Sequence, residues 1–336
     1  MALTWAAPRS PASASLTWHL RLCRLWRRVA SILFLAPADL GEAVLATGAL
    51  AHALGERDSV TVIAAPEALP LFRAAPGLEE SIAADASLAS SGALWLRLGA
   101  NAFDVAIDGR GGLLGRVAAR RRIALQPGAL VQHRTEVWAQ ALGAERSLAP
   151  VLWLDDSARN AAAAIAADAT SILVIAPGGN PREKRWLVER FAAVARRLHD
   201  GPLANARVIL LGAAARDGDI LSAIQSSLDA DGIGALNLDR NLDLLAAAAL
   251  MERATLCIGN DNALTHIAAA AGAPTLTIFG PTDERVRAPH GPRTRAVRGR
   301  SFAEVSALDG ASAMEDVSTD AVEAAALELL HAGGLR

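Results

Sequence analysis

Three short stretches of this 336-residue chain combine residues able to hold a phosphate with residues able to move a proton. The first, ILFLAPADLGEAVLATGAL, runs from an apolar segment through Asp39, Gly41 and Glu42 into a helical pattern. The free N–H groups and positive dipole end of a helix opening there suit an anionic or polar ligand. Glu42, in the first turn, has the chemistry of a general base, and Asp39 in the same loop is the second choice. A first-turn acid also complements the helix dipole with no further role, so position alone leaves both readings open. The second stretch is ILVIAPGGNPREKRWLVERFAAVARRL. Here Gly178 and Gly179 let backbone approach a ligand, and Asn180 and Lys184 follow ahead of a helix. A lysine beside such a turn can neutralise a diphosphate as its bond to a sugar breaks, although a surface loop with a solvated lysine has the same spacing. The third stretch is ATLCIGNDNALTHIAAAAGAPTLTIFGPTDERV. A buried strand ends in the polar run Gly259 to Asn262, and a helix begins near Ala263 with His266 in its first turns. Asp261 or Asn262 caps that helix whatever else it does. For His266 alone, a hydrogen-bonded structural histidine is the commoner reading.

Such loops need strands to end where they begin. From Ser31 onward, short apolar runs alternate with alanine- and leucine-rich stretches, the pattern of parallel strands joined by crossover helices. Strands fit Ser31–Leu35, Val60–Ala64 and Val105–Asp108 in the first half, with helices over Gly41–Leu54, Glu67–Phe72 and Val131–Leu142. The second half has strands at Ile172–Ala176, Arg207–Leu211, Leu256–Ile258 and Thr275–Phe279, with helices over Leu187–Leu198, Leu242–Arg253 and Ala263–Ala271. The length exceeds what one core usually serves. The expected fold is therefore α/β, with two Rossmann-like domains facing across a cleft. It divides into a basic extension (1–30), a first domain (31–155), a linker (156–170), a second domain (171–315) and a C-terminal helix (316–336). Ligands bind at the carboxyl ends of strands in such sheets, which places the site between the domains.

Composition narrows the class. Hydrophobic residues at 52% and charged residues at 20% are too apolar for a disordered chain and too evenly interrupted for a multi-spanning membrane protein. With 33 Lys+Arg against 35 Asp+Glu, the chain is not a nucleic-acid binder held by bulk charge. Cys23 and Cys257 lack the spacing of zinc sites or disulfide frameworks, and a reducing, cytoplasmic setting is the simpler expectation. The first thirty residues carry Trp5, Trp18 and Trp26 with Arg21, Arg24, Arg27 and Arg28. They contain no apolar run of the about 20 residues that a transmembrane helix needs. Leu16 to Val29 instead reads as a basic amphipathic helix for an anionic membrane surface, or as a disordered extension. A further basic run, GRGGLLGRVAARRR, holds Arg110, Arg116, Arg120, Arg121 and Arg122.

In this order and separation, the three stretches resemble those of glycosyltransferase family nine, the heptosyltransferases of bacterial lipopolysaccharide, from Ser31 to about Val297. PGGNPREKRW is similar to the family's Pro-Gly-Ala loop with its Lys and Trp, and GNDNALTH followed by GAPTLTIFGPTD to its donor-binding signature. The resemblance implies an inverting transfer of a sugar, with ADP-heptose as donor, and neither a metal nor another cofactor. It implies that Gly178, Gly179, Asn180 and Lys184 meet the donor diphosphate and that Asp261 holds sugar hydroxyls. Asn262, Ala263 and His266 would meet the phosphates at a helix start. Glu42 stands where the family's base is typically aspartate. An anionic glycolipid or saccharide acceptor is implied, for which Arg116, Arg120 and Arg121 are candidates, as against a solvated helix end. Contact with the inner membrane face would follow from the basic N-terminus. Departures from the pattern are Ala36-Pro37-Ala38-Asp39 in an arginine-containing loop, Gly48 for proline, Ala263 for glycine and Arg216 for an acidic nucleotide contact. They motivate two other readings, a non-catalytic sugar-nucleotide-binding protein and a nucleotide-sugar epimerase or hydrolase.

Overall fold

The structure is a computed structural model that describes residues 30–84, 92–99, 102–111, 114–125, 131–238, 242–305 and 313–333. The amphipathic segment expected over Leu16 to Val29, and Cys23 within it, lie outside the described residues. The first half runs β1 (Ser31–Leu35), α1 (Leu40–Ala53), β2 (Ser59–Ala64), a 3-10 turn (Leu69–Phe72), β3 (Leu78–Ala83), α2 (Gly92–Leu98), β4 (Phe103–Asp108), α3 (Leu114–Val117), β5 (Ala119–Ala124) and α4 (Arg134–Leu142). Helix α5 (Asp156–Ile165) then leads into β6 (Ile172–Ala176), a 3-10 turn (Arg182–Lys184), α6 (Val188–Asp200), β7 (Arg207–Leu210), α7 (Ala214–Ala230) and β8 (Ala235–Asn237). The chain continues through α8 (Leu244–Glu252), β9 (Leu256–Asn260), α9 (Ala263–Ala270), β10 (Thr275–Ile278), α10 (Glu284–Arg287), β11 (Thr294–Val297), α11 (Phe302–Val305) and α12 (Thr319–Ala332).

The strands form two sheets, ordered β3-β2-β1-β4-β5 and β11-β10-β9-β6-β7-β8, and every pairing is parallel. Both place the first strand of their half beside the fourth, the point where winding reverses and loops diverge to leave a crevice. The apolar runs SILFL and ILVIA become the central strands because both of their faces are covered by helices. The helix expected over Glu67–Phe72 is only the short 3-10 turn, since Pro70 removes a backbone donor there. The arginines of the basic run do not end a helix either: Arg120 and Arg121 are exposed on the edge strand β5.

Helix α1 is buried almost all round, as a helix between layers must be. Its apolar residues join one core with residues of both sheets, among them Phe34, Val62, Val174 and Cys257. The extended chain around Pro150 crosses α1 at Gly48, where a Cβ would stand 2.3 Å from the Ala149 carbonyl oxygen and 2.7 Å from that of Leu148. Thr47 Oγ1 accepts from Val151 N at 2.9 Å in the same crossing. Glycine is therefore required by close backbone approach. Gly48→Ala is expected to cost about 1–3 kcal/mol, read as a lowered Tm in thermal unfolding; an unchanged Tm would show that the crossing strand yields.

Candidate functional site

The loops after β1, β6 and β9 open into one cleft of about 470 Å³ between the two sheets. Its lining includes every residue expected to meet the donor, from Gly178, Gly179, Asn180 and Lys184 to Asp261, Asn262, Ala263 and His266. Asp39 and Glu42 face them from the first half. Arg116, Arg120 and Arg121 do not line this cleft. Arg116 is exposed on α3, and Arg120 approaches Asp104 at 3.5 Å.

Side-chain amides shape the loops after β6 and β9. Asn260 Nδ2 donates to the Pro177 carbonyl at 2.6 Å, while its Oδ1 accepts from Trp186 N at 3.1 Å. Asn262 Nδ2 donates to the Ala176 and Gly178 carbonyls, both at 2.9 Å, and Oδ1 caps α9 by accepting from Leu264 N and Thr265 N. Buried Trp186 anchors the far end of the glycine loop: its Nε1 donates to Val317 O at 2.9 Å, and the ring meets Phe191 edge-on. Gly178 is required by the approach of Asp217, whose Oδ2 would lie 2.6 Å from a Cβ at that position.

At the cleft floor, Lys184 Nζ donates to Asp261 Oδ2 at 2.6 Å, and Thr282 Oγ1 donates to the same oxygen at 2.7 Å. His266 Nε2 stands 3.9 Å from Asp261 Oδ1, and its ring abuts Gly41 at the start of α1. The His266 Nδ1 is buried with no hydrogen-bond partner among the described residues. Burial pushes the Asp261 carboxyl up, but His266 and the Lys184 ammonium outweigh it and hold the group well below the usual carboxylate range. Asp261 is thus a carboxylate throughout the neutral range, and any pH-linked stability it confers is lost only as pH falls through that low value.

Across the cleft, Asp39 caps α1 by accepting from Glu42 N at 3.0 Å, which commits its carboxylate to the helix start. Glu42 is buried between two guanidiniums, Arg287 Nε at 2.7 Å and Arg134 Nε at 3.2 Å. Arg134 opens α4 and Arg287 closes α10, so the carboxylate is held from both halves of the chain. Neither arginine stood out in the sequence, because each looks like an ordinary helix-end charge and Arg287 lies 245 residues from Glu42. Asp217 was legible in principle: it directly follows Arg216, is buried, lines the cleft and pairs with Arg185 at 3.2 Å. Leu211, Leu238, Leu242 and Leu244 give that end of the cleft an apolar wall. Among the described residues, no group of three or more His, Cys, Asp or Glu is placed to hold a metal ion, and no helix is long and apolar enough to cross a membrane.

A sequence model of glycosyltransferase family 9 (heptosyltransferase) matches residues 108–315, more than half of the chain. The chain belongs to glycosyltransferase family 9. Solved structures agree with the fold of this family 9 member. It is similar to E. coli ADP-heptose LPS heptosyltransferase II, at 18% identity and a TM-score of 0.73 over 90% of this chain and 99% of that one. The family 9 glycosyl transferase from Veillonella parvula DSM 2008 gives 16% identity and a TM-score of 0.75 over 92% and 99%. E. coli heptosyltransferase WaaC, solved with ADP, gives 16% and 0.66 over 89% and 99%. No curated protein matches the chain significantly. For this glycosyltransferase the two parallel sheets expected from the sequence are therefore those of the family, with the glycine loop and the Asp261 loop side by side where winding reverses.

Proposed function

We propose that this family 9 glycosyltransferase moves heptose from ADP-heptose to an anionic glycolipid or saccharide acceptor, with inversion and without a metal ion. The observation that carries the reading is the Lys184–Asp261 pair beside the Gly178–Gly179 turn, facing Glu42 in one cleft. Lys184, with backbone N–H groups of the turn and of the α9 start, neutralises the diphosphate as it leaves. Asn180 and Ala263 border the same phosphates, and His266 stands beside them. Asp261 holds sugar hydroxyls and faces the positive charge that develops on the ring. Glu42 takes the proton of the acceptor hydroxyl, whose oxygen attacks the anomeric carbon while the bond to the diphosphate breaks. The leucine wall beside Asp217 accommodates the base of the nucleotide. An adenine base is supported by the solved relative that holds ADP. The basic N-terminal segment would bring the enzyme to the cytoplasmic membrane face, and exposed Arg116, Arg120 and Arg121 would serve an acceptor that extends beyond the cleft.

Incubation with ADP-heptose and a deacylated lipopolysaccharide core tests this. Acceptor-dependent release of ADP, insensitive to a chelator, with one heptosyl unit added to the core in inverted configuration, is expected. The double engagement of Glu42 favours one competing reading, a sugar-nucleotide-binding protein without turnover. Donor binding with no ADP release in the presence of any lipopolysaccharide core would establish that alternative.

A further inference from the structure

Glu42 is nearly enclosed, its side chain 10% exposed, whereas that of Arg287 is 38% exposed and lines the cleft. Arg134, the second partner, is not part of that lining. Both guanidiniums hydrogen-bond Glu42 and so occupy lone pairs that an acceptor hydroxyl would need. An acceptor hydroxyl therefore gains access to the carboxylate if one cation leaves, and Arg287 is the one that lines the cleft. Its planar fork binds phosphate and carboxylate oxygens through the same donors. Anionic oxygens in the cleft are direct competitors with Glu42 for that guanidinium. Burial works against the charge of Arg287, yet the charge and hydrogen bond of Glu42 hold its pKa above the ordinary value, so the group arrives at any exchange as a cation.

We infer that Arg287 is an exchange residue: an anionic group of a substrate in the cleft takes its guanidinium from Glu42, leaving that carboxylate to Arg134 and the acceptor hydroxyl. The inference rests on the proposed function only in giving Glu42 a proton to take; the exchange itself stands on the geometry. The shared chemistry is a phosphate or carboxylate, supplied either by the donor diphosphate or by the acceptor.

Calorimetric titrations of the wild type, Glu42→Gln, Arg287→Gln and the double variant separate these sources. ADP is the first probe, and a hexose phosphate added to ADP-saturated protein is the second. Removing the Glu42 charge frees Arg287, so Glu42→Gln is expected to bind the relevant anion roughly fivefold more tightly. The gain should vanish in the double variant and survive in part when Arg287→Lys replaces Arg287→Gln, a rescue that a purely structural arginine would not give. A gain for ADP assigns the exchange to the donor, and a gain for the hexose phosphate assigns it to the acceptor. No gain with either probe overturns the inference. Turnover of Glu42→Gln reports separately: retained turnover removes the base role while leaving an affinity gain intact, and lost turnover without a gain removes the exchange alone.

Discussion

Glu42→Gln is expected to lower transfer by about 10²–10⁴-fold without loss of donor affinity, the range for removing a positioned general base. The amide keeps the size of the side chain and can still accept from Arg134, so the fold persists while Arg287 is held less tightly. Only the capacity to take a proton is lost. Steady-state kinetics should therefore show the loss in kcat with no rise in KM for the donor. Asp39 provides the internal comparison. Because its carboxylate caps α1, Asp39→Asn is expected to retain the cap and most of the activity, as asparagine caps nearly as well as aspartate. If the two variants reversed, with Asp39→Asn inactive and Glu42→Gln active, the base would have been assigned to the wrong acid of the loop.

Lys184→Ala is expected to reduce turnover by about 10²–10³-fold, the scale of losing one group aimed at developing charge. It should also weaken donor binding, since the ammonium lines the cleft beside the glycine turn. The substitution leaves Asp261 buried with Thr282 and His266 but without its strongest partner, so part of the damage is instability. Combining it with Asp261→Asn removes the uncompensated charge. The double variant is expected to recover Tm but not turnover. Recovery of both would mean that Lys184 serves the fold and not the donor.

How much of this was legible in the sequence follows from where each residue sits. Strands β1 and β6 were found residue for residue because central parallel strands are unbroken apolar runs. Strands β3 and β5 were not, since LEESIA and ARRRIA lie at or near sheet edges and present charges to solvent. Helix α7 escaped because its first turns, AARDGD, contain Gly218 and two acids and read as a loop. The side of the cleft formed by the glycine loop and the Asp261 loop is local, two loops each following its own strand, and so it was legible as motifs. The bracing of Glu42 is not local. It joins residues 92 and 245 positions away in sequence, and only the packing of α1, α4 and α10 brings their charges together. The arginines that looked most suited to an acceptor, Arg120 and Arg121, gained their prominence from clustering in sequence and fell on an edge strand outside the cleft.

The central claim is that Lys184, Asp261 and the glycine turn form a nucleotide-sugar donor site. Calorimetric titration with intact ADP-heptose, beside GDP- and UDP-sugars and repeated on Lys184→Ala, tests it most directly. Saturable binding of ADP-heptose in preference to the others, weakened at least tenfold in the variant, a difference of about 1.4 kcal/mol, is the predicted result. Equal affinity of wild type and Lys184→Ala, or no binding of any nucleotide sugar, would contradict it.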